Sequence, residues 1–172
     1  MKKRLIVDMD GVLADVYHQF IRFQQYETRT IIQPETLKGK PEYEAFKNGR
    51  RYVNLKGFFR NAPLIPGCVE VMKRLNEKYD VFIVSAAMEF PNSLPEKYRW
   101  LKEHFPFITW QQIVFCGSKT IVYGDIMIDD HYKNLDNFKG QTILFTQPHN
   151  EGHDDKGHTR VSTWDDIAGL LL

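Results

Sequence analysis

Three short apolar runs in this chain end on residues that can do chemistry together. Leu5-Ile6-Val7 stops at Asp8, with Asp10 two positions on; Val81-Phe82-Ile83-Val84 stops at Ser85; Ile126-Met127-Ile128 stops at the doublet Asp129-Asp130. Lys119 follows Gly117-Ser118, just after a fourth run, Ile113-Val114-Phe115. A carboxylate pair plus an acidic doublet is a hard, oxygen-only donor set of the kind Mg²⁺ prefers. A lysine and a hydroxyl beside such a metal suit a phosphate dianion, and one aspartate can then act as a nucleophile that carries a phosphoryl group. Taken singly, each piece has a plainer reading. An Asp after a strand commonly caps a helix, acidic doublets sit on wet loops, a lone Lys is solvated, and Ser85 can cap a turn. The combination in this order favours the chemical reading.

These residues work together only if the elements before them bring their ends to one edge. The runs are continuous rather than alternating in apolar character, which predicts strands covered on both faces, as in a parallel sheet. Thr142-Ile143-Leu144-Phe145 before Thr146 is a fifth. Helical spacing separates them: Val69, Met72 and Leu75 after Pro66-Gly67; Tyr98, Leu101 and Phe105 between Pro95 and Pro106; and Trp164 to Leu172, with Ser162 or Thr163 as its cap. The alternation predicts an α/β fold, an open Rossmann-like parallel sheet with helices on both faces. In such sheets ligands bind outside the carboxyl ends of the strands.

Residues 16–62 break this rhythm. They carry Phe20, Phe23, Tyr26, Tyr43, Phe46, Tyr52, Phe58 and Phe59 among many charges, and no convincing strand. The expected division is a catalytic core over 1–15 and 63–172, with a small, mostly helical cap over 16–62 inserted after the first strand. Most of those rings are expected to pack the cap's own core. Asn150 to Arg160 is polar and punctuated by glycine, which predicts a loop.

Composition removes several function classes. The 172 residues, 42% hydrophobic and 26% charged, fit one globular domain with a small insert. With 23 basic and 22 acidic residues the formal charge is +1, which argues against a broad footprint for a nucleic acid polymer or a membrane surface. The apolar run after Met1-Lys2-Lys3-Arg4 is too short for a signal sequence, and no stretch approaches the ~20 apolar residues of a membrane helix. Cys68 and Cys116 are the only cysteines, read as buried small hydrophobes in a reducing setting, so a cytoplasmic protein is expected. No GxxxxGK loop is present. Asp15 is expected to start a helix or anchor the insert. His149, His153 and His158 share a polar stretch with Asp154 and Asp155. A zinc or nickel site there is weighed against a solvated loop, and the loop is preferred because nothing in the sequence orders those side chains.

The motif set resembles the haloacid dehalogenase (HAD) superfamily over most of the chain. Asp8-Met9-Asp10-Gly11-Val12 is similar to its DxDGx first motif, Ser85 stands at its second-motif hydroxyl, Lys119 at its third-motif lysine, and Gly124 to Asp130 at its acidic fourth motif. Within that superfamily the chain resembles the 5'(3')-deoxyribonucleotidases, the 5' nucleotidase, deoxy pyrimidine, cytosolic type C family. The resemblance runs through Val7 to Asp15, Pro63-Leu64-Ile65-Pro66-Gly67, Glu96-Lys97-Tyr98-Arg99-Trp100, Lys119-Thr120 and Asp125 to Asp130. Ala86-Ala87 stands where relatives carry Ser-Pro.

The resemblance implies a role for each matched residue. Asp8 attacks phosphorus; Asp10 protonates the leaving alcohol and then activates water. Asp8, the Asp10 carbonyl and Asp130 hold Mg²⁺, with Asp129 in support. Ser85 and Lys119 hold the phosphate, and Lys97 lies near it. The implied substrate is a small phosphomonoester, a deoxynucleoside monophosphate by the closer resemblance, and a homodimer follows by analogy alone. Two readings of another class compete: a phosphoacceptor signalling domain, which would end its middle strand in the acceptor Asp where this chain has Ser85, and a non-catalytic relative, which would substitute an expected position.

Overall fold

Each of the five apolar runs becomes a strand of one sheet, and every strand runs parallel to its neighbours. The computed structural model describes residues 1–172. In chain order the strands are β1 (Arg4–Val7), β2 (Asp80–Ser85), β3 (Ile113–Phe115), β4 (Ile126–Asp129), β5 (Gln141–Phe145) and β6 (Thr159–Val161). They lie side by side as β3-β2-β1-β4-β5-β6. The chain leaves β1 toward β2 on one side and returns from β3 to β4 on the other, so the crevice at the carboxyl ends of β1 and β4 is the point where the winding reverses.

The inner strands are apolar because helices cover both faces. Leu5, Val7, Val81, Ile83, Ile126, Ile128 and Ile143 are at most 3% exposed and pack with Met72, Leu75, Trp100, Leu101, Trp164 and Ile167. Ile6, Val84, Met127 and Leu144 face the other way into a smaller cluster with Cys116 and Leu135. β3, at the sheet edge, is only half-buried.

Seven α-helices fill in around the sheet. The first is α1 (Val16–Thr28); Asp15 caps it, its carboxylate accepting from the His18 amide at 2.8 Å, so that residue starts a helix. The short α2 (Glu42–Ala45) and α3 (Gly49–Tyr52) follow, and the helical insert these three form has its own apolar cluster around Tyr17, Phe20, Phe46, Tyr52, Phe58 and Phe59. The rings meet one another there, Phe20 with Phe46 at 5.0 Å and with Phe58 at 4.9 Å. Next come α4 (Cys68–Lys78), α5 (Leu94–His104), the single turn α6 (Tyr132–Leu135) and α7 (Trp164–Leu171). Thr163 and Asp166 close α7 with a reciprocal capping box, the arrangement its sequence predicts.

One expectation is corrected. The polar stretch over residues 150–160 is not all loop: Thr159 opens β6, which pairs with β5 through Ile143 and Thr159, Leu144 and Arg160, and Phe145 and Val161. The strand is three residues long and at the sheet edge, so only Val161 is buried and no apolar run marks it.

Two buried tryptophans tie the site-bearing loops to this frame. Trp164 donates its indole N–H to the Val12 carbonyl at 2.9 Å, and Trp100 to the Ala62 carbonyl at 2.8 Å; both are fully buried. Trp164→Phe keeps much of the apolar ring but strands the Val12 carbonyl. Urea unfolding should show a loss of about 1–3 kcal/mol. An unchanged midpoint would mean that this bond does not hold the loop after β1.

Candidate active site

The loop after β1 is wound so that two carboxylates leave it side by side. The Leu13 and Ala14 amides both donate to the Met9 carbonyl at 2.9 Å, and the Gly11 amide donates to the Ala14 carbonyl at 2.8 Å. Gly11 adopts φ 75° at the tip, and a Cβ there would lie 2.2 Å from Asp130 Oδ2, so this close approach requires glycine for two reasons. The Gln147 side chain donates to the Gly11 carbonyl at 2.5 Å and closes the turn from the β5 side.

Asp8, Asp129, Asp130, Ser85 and Lys119 all converge, and all five are buried. Lys119 reaches in from the turn after β3 and lies 2.6 Å from both Asp8 Oδ1 and Asp129 Oδ2. Asp129 is fully engaged: it also accepts from the Asn134 side chain at 2.9 and 3.1 Å and from the His131 amide at 2.9 Å. Asp8 Oδ1 accepts from the Met9 amide at 2.7 Å, and its other oxygen takes no hydrogen bond from the protein. Lys97, on α5, is fully buried, donates to Ser85 Oγ at 3.0 Å and pairs with Asp10 Oδ2. Its ammonium stands 4.4 Å above the Phe59 ring. All the site residues expected from the sequence are therefore brought together.

The electrostatics of this pocket call for a cation. Burial pushes Asp8 up to about 7 despite Lys119, with Asp129 and Asp10 adding to the rise. Burial, with Asp8 and Asp129 alongside, likewise pushes Asp130 well above the usual carboxylate range. Asp129 goes the other way, because Lys119 and its hydrogen bonds outweigh burial. Burial works against the charge on Lys119, but the two carboxylates outweigh it and raise the lysine above its usual value. Ligand atoms of Asp8, Asp129 and Asp130 lie within 4.8 Å of one another, and Asp130 Oδ1 is buried with no partner. An all-oxygen donor set with an orphaned buried oxygen and excess negative charge fits a hard divalent cation. Asp10 Oδ1 is buried without a partner as well.

Several supporting residues escaped the sequence. Asn134 fixes Asp129. His149 Nε2 and Asn150 Nδ2 donate to the Asp130 carbonyl at 2.9 and 2.8 Å. His131 and His149 stack with ring centroids 4.3 Å apart, beside Glu42 of α2. The expectation that nothing orders the histidines of the late loop is corrected for two of the three: His149 is held by Asp130 and Tyr17, and His158 by Thr142 and Asp136, whereas the His153 side chain makes no hydrogen bond. Burial and the neighbouring His149 push His131 down to about 4. Extending the strand-end rule to the fifth run would have pointed at Gln147; the histidine cluster draws on three separate segments and has no local signal.

A cavity of about 450 Å³ opens from the carboxylates to the insert and is lined by Asp8, Asp10, Asp130, Tyr43, Phe59 and Phe90, among others. A groove of about 610 Å³ lies at the amino ends of β1, β2 and β4, around Arg4, Asp80 and Asp125, away from the converging carboxylates.

Solved structures with this architecture are HAD-like proteins. The conserved haloacid dehalogenase-like protein ATU0790 from Agrobacterium tumefaciens, of unknown function, matches with a TM-score of 0.65 at 16% identity over 99% of this chain and 98% of its own. The HAD-hydrolase YfnB from Bacillus subtilis, solved with bound magnesium, matches with a TM-score of 0.61 at 14% identity over 99% and 98%. In sequence, the 5'(3')-deoxyribonucleotidase of Bacillus subtilis (strain 168) is 38% identical over 174 residues, which span 100% of both chains. A family model described as "5' nucleotidase, deoxy (Pyrimidine), cytosolic type C protein" matches residues 2–172. The chain belongs to this family of the HAD superfamily and is a phosphoric monoester hydrolase. No helix is long and apolar enough to cross a membrane.

Gly11→Ala tests whether the close packing against Asp130 matters to catalysis. The added methyl must displace the Asp130 carboxylate, and an ångström-scale misplacement costs on the order of 100-fold in rate. Turnover of p-nitrophenyl phosphate should fall by about that factor in a chain whose circular dichroism is unchanged. Near-normal turnover would show that the carboxylate position is not critical.

Proposed function

We propose that this protein hydrolyses deoxyribonucleoside monophosphates to nucleoside and phosphate, with Mg²⁺ bound, through a phosphoryl group carried on Asp8. The observation that supports it most is the unequal state of the two carboxylates on the β1 loop. Asp8 has one oxygen held by Lys119 and the Met9 amide and the other unengaged, as a nucleophile requires. Asp10 has one oxygen held by Lys97 and the other buried without a partner, as a proton donor facing a leaving oxygen requires.

Asp8, the Asp10 carbonyl and Asp130 are the residues that would hold Mg²⁺, which when bound supplies positive charge against the phosphate oxygens. Lys119 and Ser85 hold the phosphate, and Lys97 orients both Asp10 and Ser85. Lys119 also offsets the repulsion between the Asp8 carboxylate and an incoming dianion, which must close to about 3–3.5 Å for reaction. Asp8 attacks phosphorus as the ester oxygen departs with a proton from Asp10. Asp10, now ionised, takes a proton from water as that water attacks the acyl phosphate, which frees Asp8 and releases phosphate.

Residues 16–62 serve as the cap over this site, with 1–15 and 63–172 as the catalytic core. The nucleotide reading draws on the family and on the Bacillus subtilis relative's name, and it fits a cavity within the usual range for small ligands. Tyr43 and Phe90 line that cavity; Tyr43 is largely exposed, and Phe90 is partly buried against the insert's apolar cluster. Stacking of a base on such a ring is worth about 1–3 kcal/mol. Alanine at Tyr43 or Phe90 should therefore raise KM for deoxynucleoside monophosphates by roughly 5- to 150-fold while largely sparing p-nitrophenyl phosphate. Equal losses on both substrates would remove base recognition from this wall.

The two aspartates separate by variant. Asp8→Asn should form no phosphoenzyme and fall to background. Asp10→Asn keeps the nucleophile but loses the base, worth roughly 10²–10⁴-fold, so p-nitrophenyl phosphate should leave a phosphorylated protein visible by mass spectrometry after acid quench. Phosphate found on Ser85, or normal turnover by Asp8→Asn, would end the covalent scheme.

A further inference from the structure

Asp130 differs from its neighbours in what holds it. Asp129 is gripped through its carboxylate by Lys119, Asn134 and the His131 amide, and Asp8 by Lys119 and the Met9 amide. Asp130 Oδ1 is buried without a partner, and Oδ2 lies so close to Gly11 that a Cβ there would meet it at 2.2 Å. This carboxylate is therefore placed by its own backbone and by the wall of the β1 loop.

The Asp130 carbonyl takes two hydrogen bonds, and they come from different parts of the molecule. Asn150 Nδ2 donates at 2.8 Å, and that side chain is tied into the core by the Phe145 carbonyl at 2.9 Å, the Gln147 amide at 3.1 Å and Arg160 at 3.0 Å. His149 Nε2 lies at 2.9 Å; a carbonyl can only accept, so this nitrogen carries a proton whatever the state of Nδ1. The other edge of the ring faces the insert, with Nδ1 3.1 Å from the Tyr17 hydroxyl and 3.3 Å from Glu42 Oε1. The ring also stacks on His131 with centroids 4.3 Å apart, so one imidazole holds both residues 130 and 131. Tyr17, on α1, is buried in the insert's apolar cluster and set there by edge contacts with Phe20 and Phe46. Burial, with Glu42 and Asp130 nearby, pushes the Tyr17 phenol above its usual range, which keeps its proton in place.

We propose that His149 is a positioning residue for the Asp130 carboxylate and that Tyr17 holds it from the insert, so that metal affinity at the carboxylate site depends on how the insert packs. The proposal rests on the reading of Asp8 and Asp130 as the Mg²⁺ site. A small rotation of the peptide between residues 130 and 131 swings the carboxylate, and the unpartnered Oδ1 offers nothing against that swing. Partners of this outer kind are typically worth 10- to 100-fold in metal affinity. Neither Tyr17 nor His149 lines the cavity in front of the carboxylates, so neither is placed to touch substrate.

Mn²⁺, which suits carboxylate and carbonyl donors, is the probe. In the full chain without substrate, free Mn²⁺ counted by electron paramagnetic resonance should reveal one site from which Mg²⁺ displaces it. His149→Phe keeps a ring against His131 and removes the donor; Tyr17→Phe keeps the ring in the cluster and removes the hydroxyl. With circular dichroism unchanged, His149→Phe should weaken Mn²⁺ binding by about 10- to 100-fold. Tyr17→Phe should weaken it by roughly 2- to 12-fold, the worth of one hydrogen bond. Because Tyr17 acts through His149, the double variant should bind no more weakly than His149→Phe, whereas independent sites would multiply their losses. A parent chain with no Mg²⁺-displaceable Mn²⁺ site would overturn the metal reading and this one with it. A parent that binds, with His149→Phe binding equally well or with the two losses multiplying, would overturn the relay from Tyr17 through His149 and leave the metal site standing.

Discussion

The ammonium of Lys119 between Asp8 and Asp129 is the contact on which the rest of the site depends. Three carboxylates end two adjacent parallel strands in a buried crevice, and by themselves they would repel one another and resist ionisation. Lys119 lies 2.6 Å from two of them, and the carboxylates in turn outweigh the burial that disfavours its charge. Asn134 and the His131 amide complete the shell of Asp129, so this aspartate acts as the anchor for the lysine. What is left over is one Asp8 oxygen without a hydrogen bond and a buried Asp130 oxygen without a partner, both beside a turn that only glycine can make.

A second ion pair repeats the logic on the other side. Lys97 is fully buried and links Asp10 to Ser85, which joins α5 and β2 to the β1 loop. Each buried lysine is thus shared between two strand ends. Removing one partner of such a pair leaves a buried charge without compensation, which is far more costly than the pair's net contribution. This interdependence explains how residues from five segments keep a common geometry.

Much of this was legible in the sequence because parallel strands buried on both faces leave a continuous apolar run, and the residue that ends such a run must lie at the sheet's edge. That rule located Asp8, Ser85 and Asp129-Asp130, and the family resemblance added the roles of Lys119 and Lys97. It failed where burial is partial. β6 has one buried residue and reads as a polar loop. It was also blind to groups that act through backbone carbonyls, such as Gln147 on Gly11 and Asn150 and His149 on Asp130, since an amide or imidazole in a loop has no pattern until its partner is in place. Glu42 meets the histidines only through the fold of the insert, from a helix, α2, that is four residues long.

A double-mutant cycle on Lys119 and Asp129 tests the central claim most directly. Lys119→Met alone should lower stability by about 3–5 kcal/mol, because two buried carboxylates lose their shared cation. Adding Asp129→Asn removes one of those charges, so the double variant should recover a large part of that loss, with a coupling energy well above the ~0.5 kcal/mol scatter of independent sites. Losses that simply add, or a Lys119→Met chain as stable as its parent, would contradict the account.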